Sequence, residues 1–219
     1  MSGHPVPDRA RRLARLQGLY AIVGEEDAVA RAEAVVAGGA AAIQIRMKEA
    51  PAGAILEAVR RVVSLAAGRV LVIVNDRVDL ALLGGADGVH LGDEDLPVAE
   101  ARRLVGPSLL VGRTVRGPEE ARAALAEGAD HVGYGPVFAS RTKALAVGPL
   151  GLGALRATCA AVPAPVVAIS GIDLATIGDV AAAGAACAAV IGDLFGHGDP
   201  RARAAALARA FEEGRRRRA

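Results

Sequence analysis

The chain has almost no aromatic side chains: two Tyr, three Phe and no Trp among 219 residues, or 2%. That scarcity excludes the stacking platforms on which proteins hold single-stranded nucleic acid. Cysteine is equally rare. Cys159 and Cys187 stand far apart without metal-ligand spacing, which argues against a disulfide framework or a structural zinc site and fits a reducing compartment. Cys187 falls in an apolar run and is expected to be a buried thiol. No apolar run reaches the roughly 18 residues that span a bilayer, and the first residues, MSGHPVPDRARRLARLQ, have no apolar signal core. A soluble, cytoplasmic protein without membrane partners is expected. No His-Glu-x-x-His zinc motif and no nucleophile elbow occur. The turn after the first apolar run, Val23-Gly24-Glu25-Glu26, lacks the glycines of a dinucleotide-binding sheet.

What the chain does have is small apolar residues. Hydrophobic content is 53%, much of it Ala and Val, which suits helices packed tightly on a parallel sheet. Net charge is +2, and much of the excess sits in the four arginines at 215–218. These read as a solvated helix end; anion or RNA binding is the alternative. The length accommodates one sizeable domain. Its oligomeric state is left open, a homo-oligomer included.

Hydrophobic periodicity alternates between two patterns along the chain. Short apolar runs predict strands at 18–23, 41–46, 70–74, 88–91, 109–111, 131–134, 166–169 and 187–191. Between and after them, helical spacing predicts helices at 28–36, 54–67, 78–83, 97–105, 118–127, 150–162, 174–183 and 201–215. A repeat supports the count: Gly-Ala closes a helix just before a strand at Gly39-Ala40, Gly85-Ala86, Gly128-Ala129 and Gly184-Ala185. The spacings of 46, 43 and 56 residues each hold two strand–helix units, with the glycine as a left-handed cap. Eight such units predict a parallel eight-stranded (β/α)₈ barrel over 17–215, after a polar arm or short helix at 1–16 and before a basic tail at 216–219. An open doubly wound sheet is the alternative architecture.

In a barrel the loops after the strands share one mouth. Here they carry Arg46 and Lys48; Asn75 and Asp76; Asp93, Glu94 and Asp95; Arg113, Thr114 and Arg116; Ser140, Arg141, Thr142 and Lys143; Ser170 and Gly171; Gly192 and Asp193. Cations, hydroxyls and carboxylates crowded at one end suit an anionic substrate, and converging carboxylates suit Mg²⁺. Asp76 and Asp95 are candidate metal ligands, but each also precedes a helix, where Asp is a favoured cap. Arg46 and Lys48 alternate at a strand end, so both point inward or form a surface pair. Ser170-Gly171 and Ile191-Gly192 end strands seven and eight, the usual barrel site for a phosphate held by backbone N–H groups. His90 lies inside strand four and reads as a core or supporting residue rather than a ligand. His4 and His197 read as exposed. Tyr134 and Phe138 either wall the pocket or pack in the core.

The pieces QIRMK at 44–48, VNDRVDLA at 74–81, ADGVHLGDEDLP at 86–97, GADHVGYGPVFASRTK at 128–143 and AISGI at 168–172 stand in order at the expected loops. On these the chain, from about Leu19 to the last helix, resembles the thiamine-phosphate synthase family. The resemblance implies that a hydroxymethylpyrimidine diphosphate and a hydroxyethylthiazole phosphate, with or without a thiazole carboxylate, join to give thiamine phosphate and diphosphate. It further implies a dissociative course through a pyrimidine cation, with no strong general base. Gln44, Arg46, Lys48, Asn75 and Lys143 would hold the pyrimidine diphosphate. Arg46, Lys48, Thr114 and Lys143 would act on the reacting groups. Asp76 and Asp95 would hold Mg²⁺. Ser140, Thr142 and Gly171 would contact the thiazole phosphate, helped by Ile191 and Gly192.

Departures from the family pattern leave those charges in place. Thr114 stands for a Ser, Arg116 for a common His, Ser170 for a Gly, Gly192 for a common Ser, and Ser140 for a Thr. Val23-Gly24-Glu25 replaces a Thr-Asp strand end. Three rival readings are the related thiazole tautomerase branch, a non-catalytic phosphate-binding regulatory barrel, and sugar-phosphate epimerases or isomerases. The tautomerase branch would want a His near position 116 and would lose the metal Asp. A regulator would have no need of metal acids, and the sugar-phosphate enzymes would want an acid–base pair over the sugar carbon.

Overall fold

The computed structural model describes residues 9–139 and 148–218. Eight strands, β1 (Gly18–Val23), β2 (Ala42–Ile45), β3 (Leu71–Asn75), β4 (Gly88–Leu91), β5 (Leu110–Val115), β6 (His131–Tyr134), β7 (Val166–Ala168) and β8 (Cys187–Val190), pair in parallel in chain order. β1 also pairs β8, which closes the barrel. The helices are α1 (Arg9–Ala14), α2 (Ala28–Ala37), α3 (Ala52–Ala66), α4 (Val78–Gly84), α5 (Val98–Val105), α6 (Pro118–Ala126), α7 (Gly151–Ala161), α8 (Ile177–Ala182), α9 (Gly192–Phe195) and α10 (Pro200–Arg216). This is the expected (β/α)₈ barrel, with α1 ahead of it and the short α9 inserted after β8.

The repeat that predicted the count works by backbone conformation. Gly39, Gly85, Gly128 and Gly184 have φ of 87°, 71°, 107° and 110°, the left-handed region where a side chain would be strained. Each turns the chain from a helix end into the next even-numbered strand.

Alternation along the strands separates two cores. Ala42, Leu71, Ile73, Leu110, Val167, Cys187 and Ala189 point inward and pack together with Tyr20 and Leu16. Ile43, Ile45, Val72, Val74, Val89, Val111 and Val132 point outward under the helices. Tyr134 belongs to this outer layer and Phe138 packs against it, so both are core residues and neither walls the pocket. Small residues allow close helix contact: a Cβ at Gly214 of α10 would stand 2.0 Å from the Gly178 carbonyl of α8.

Strand five is longer than its apolar run. It was expected at 109–111; Gly112, Arg113 and Thr114 were expected in the loop but lie within it. Residues 110–113 pair with β4 while 112–115 pair with β6. Barrel closure needs this stagger, and it draws polar residues at the strand end into the ladder.

The described part of the lead-in segment closes the end of the barrel opposite the mouth. Arg12 is buried, with Nε 3.0 Å from Asp87 Oδ1 and Nη1 2.5 Å from the Ser108 carbonyl oxygen. Arg9 pairs with Asp130 at 3.2 Å, and Leu16 plugs the interior core. At the other terminus Arg215 pairs with Glu212, Arg217 with Asp179, and Arg218 donates to the Gly184 carbonyl. All four arginines at 215–218 stay exposed, as expected of a solvated helix end. Among the described residues no helix is long and apolar enough to cross a membrane.

Candidate active site

The strand ends surround a cavity of about 1000 Å³. Its floor is made by inward residues of the first strands. Tyr20 of β1 accepts a hydrogen bond through its hydroxyl from Gln44 Nε2 of β2, at 3.0 Å. Both are almost fully buried and both line the cavity. Tyr20 is masked in the sequence by the continuous apolar run 18–23; strict alternation places it inside with Ile22.

Above Gln44, Arg46 and Lys48 leave the end of β2 and both reach the cavity. The Arg46 N–H still donates to the Val23 carbonyl at 2.9 Å, which keeps the strand alternation going past Ile45. Met47, between them, packs against the outer core. Arg46 and Lys48 are therefore no surface pair.

Asn75 ends β3 inside the cavity, and Asp76 follows at φ 63°. Asp tolerates this left-handed conformation better than most residues. The Asp76 N–H is fixed to the His90 carbonyl at 2.8 Å, and its carboxylate meets Lys48 Nζ at 3.2 Å. After β4, Asp95 folds back so that Oδ2 accepts the Gly92 N–H at 2.6 Å. Neither acid caps a helix: Arg77 and Pro97 occupy the cap positions of α4 and α5. Burial pushes the Asp76 carboxyl above its usual range, and the neighbouring Asp95 pushes it further, against an opposing pull from Lys48. Two carboxylates crowded in this way favour a cation between them. Among the described residues no third His, Cys, Asp or Glu joins them as a metal cluster. Two acids with room for phosphate oxygens and water fit the manner in which Mg²⁺ binds, and a closed zinc cage does not.

His90 points inward from β4, with Nε2 2.9 Å from Thr114 Oγ1 of β5. Burial lowers its pKa to about 4, so the ring is neutral at neutral pH and sets the hydroxyl's position. His131 of β6 lies beside it, ring centroids 6.0 Å apart, and burial lowers its pKa to about 3. Neither of the His131 nitrogens has a hydrogen-bond partner among the described residues. At the rim, Asp93 bridges Arg113 and Arg116. Arg116 lines the cavity, and its partner Asp93 is held below the usual carboxylate range by that contact.

The opposite wall is backbone. Ser170 and Gly171 take φ of 76° and 68° in succession after β7. A Cβ at Gly171 would stand 2.5 Å from the Ala139 carbonyl oxygen, so only glycine fits. Ile191 and Gly192 follow β8, and α9 begins there. Consecutive turn conformations of this kind form concavities that suit an anion.

The cavity thus brings together Gln44, Arg46, Lys48, Asn75, Asp76, Asp95, Thr114, Gly171, Ile191 and Gly192. Ser140, Thr142 and Lys143 lie outside the described residues. Asp193, expected at the mouth, also lines it, as do Asp173 and His197, which were not expected there. His197 was read only as exposed, and nothing in its sequence context places it at the mouth.

A family model described as thiamine monophosphate synthase matches residues 19–194. A thiamine-phosphate synthase of Anaeromyxobacter dehalogenans is 68% identical over 206 residues, covering 94% of this chain and 93% of that one. Another, of Myxococcus xanthus, is 50% identical and covers 89% of each. Among solved structures, a thiamine phosphate pyrophosphorylase from Pyrococcus furiosus superposes with a TM-score of 0.83 at 34% identity, over 92% of this chain and 98% of that one.

Proposed function

The chain belongs to the thiamine-phosphate synthase family, an enzyme family of thiamine biosynthesis, and we propose that its cavity joins a hydroxymethylpyrimidine diphosphate to a hydroxyethylthiazole phosphate. One observation carries this reading. The cavity has two different places for anions: cations beside paired carboxylates at the ends of β2–β4, and glycine turns at the ends of β7 and β8. A diphosphate and a phosphate monoester would occupy them from opposite sides.

In this reading Arg46 and Lys48 hold the diphosphate, with Lys143 assigned to it by the family pattern alone. Gln44 and Asn75 orient the pyrimidine end. The bond between the pyrimidine methylene carbon and the diphosphate oxygen breaks first, and its electron pair leaves with the diphosphate. The thiazole nitrogen then donates its lone pair to the methylene carbon, forming the new C–N bond. No proton moves, so no general base is required. What the residues must do is hold positive charge where negative charge gathers. Thr114, positioned by neutral His90, offers a hydroxyl to the same leaving group. Asp76 and Asp95 would hold Mg²⁺, whose charge offsets that of the departing diphosphate. The thiazole phosphate sits on the Ser170-Gly171 and Ile191-Gly192 turns, with Ser140 and Thr142 assigned to it by the family pattern alone.

The test is direct. Purified protein with Mg²⁺ and both phosphorylated halves is expected to form thiamine phosphate and release diphosphate in equal amounts. Chelation of the metal or Asp95→Ala is expected to stop both. A folded sample that makes no thiamine phosphate would overturn the reading.

A further inference from the structure

The phosphate end of the cavity has backbone donors but is otherwise acidic. Asp173 and Asp193 line it, and among the described residues its only side chain able to carry positive charge is His197. A phosphate monoester brings about two negative charges at neutral pH, its second ionisation lying near pH 6. Among the described residues, His197 is the one side chain at that end that could offset this charge beside the two carboxylates.

The position of His197 is built. Asp193 follows Gly192 directly, and its side chain is only 9% exposed. Oδ2 accepts from the Leu174 N–H at 3.1 Å and from Arg203 Nε at 3.0 Å. Oδ1 accepts from Arg203 Nη2 at 2.6 Å and lies 3.4 Å from His197 Nε2. One carboxylate therefore ties the turn after β8 to the loop after β7 and to α10, and the histidine ring stands beside it at the mouth. Arg203 spends its charge on Asp193 and does not line the cavity. His197 itself is 60% exposed, and among the described residues its Nδ1 has no partner.

We propose that His197, braced by Asp193, is a further side-chain contact for the phosphate of the thiazole substrate. Nε2 stays on the Asp193 side of the ring, 3.4 Å from Oδ1, and Nδ1–H donates to a phosphate oxygen. The assignment rests on the synthase reading for the identity of the substrate, and on the Asp193 brace for the residue.

Steady-state kinetics with each substrate varied in turn test it, on the wild type, His197→Ala and His197→Gln. His197→Ala is expected to raise KM for the thiazole phosphate about tenfold, the loss of one partly exposed charge-assisted hydrogen bond. KM for the pyrimidine diphosphate and kcat should stay within about twofold, as for lost uniform binding. His197→Gln, which can still donate, should recover part of the loss. Direct titration with the thiazole phosphate should show the same shift in Kd, and titration with the thiazole alcohol lacking phosphate should show none. An unchanged KM for the thiazole phosphate, a parallel rise in both KM values, or an equal loss for the alcohol would overturn the proposal. If the wild type made no thiamine phosphate, the synthase reading would fall, while the titrations would still decide whether His197 reads a phosphate.

Discussion

Lys48 Nζ stands 3.2 Å from the Asp76 carboxylate, where β2 and β3 end side by side. Lys48 is about half exposed, and an ion pair of that kind contributes little to stability. In the proposed complex the pair parts: Asp76 turns to the metal and Lys48 to the diphosphate. Lys48→Ala is therefore expected to lower kcat/KM by roughly a hundredfold, the scale of losing one prepared electrostatic contact, with a melting temperature near that of the wild type. Steady-state kinetics and a thermal melt check this together. A large fall in melting temperature with modest kinetic loss would assign Lys48 to the fold instead.

Gly171 permits no side chain. Gly171→Ala places a methyl group 2.5 Å from the Ala139 carbonyl at φ 68°, so strain and a steric clash act together. A loss of roughly 1–3 kcal/mol is expected in urea unfolding, together with a raised KM for the thiazole phosphate and a nearly unchanged KM for the pyrimidine diphosphate.

The two inward histidines make stability depend on pH in a stated direction. Their pKa values fall from about 6.5 to about 4 for His90 and about 3 for His131 on folding. Between those values and 6.5 the unfolded chain takes up protons that the folded chain does not. Their contribution is complete above pH 6.5 and declines as pH falls toward 4. The slope is of order 1 kcal/mol per pH unit for each ring. Urea unfolding at pH 7, 6 and 5 measures it, and His131→Leu should remove about half the slope. Stability that stayed flat from pH 7 to 5 would contradict the buried, neutral assignment.

Arg12 tests the separation of the closed end from the mouth. It is buried against Asp87 and the Ser108 carbonyl. Arg12→Ala leaves Asp87 without that partner and is expected to cost about 3 kcal/mol in unfolding free energy, as for a broken buried pair. It should leave both KM values as they were. A selective kinetic defect would show that α1 communicates with the site.

The barrel was legible because its two periods and the Gly-Ala repeat are local. Each left-handed glycine is dictated by the turn it sits in, so four of them, each spaced by room for two strand–helix units, report eight units. The mouth residues were legible because every strand end delivers to one rim. The metal and cap readings of Asp76 and Asp95 could not be separated in sequence, since both require Asp shortly before a helix. Only the conformation of Asp76 at φ 63°, with Arg77 as the cap, removes the cap reading. The extension of β5 depends on register between strands, a long-range property, whereas the inward place of Tyr20 follows from local alternation within an apolar run. The His197–Asp193–Arg203 brace needs α9, a four-residue turn too short for any periodic signal.

The most direct measurement is diphosphate release by wild type and Asp95→Ala, each with both substrates, across a Mg²⁺ titration. Release by the wild type that saturates with Mg²⁺, matches thiamine phosphate formed, and is lost in Asp95→Ala is the predicted result. Release that ignores Mg²⁺, or survives intact in Asp95→Ala, would contradict a metal held between Asp76 and Asp95 as the partner of the leaving diphosphate.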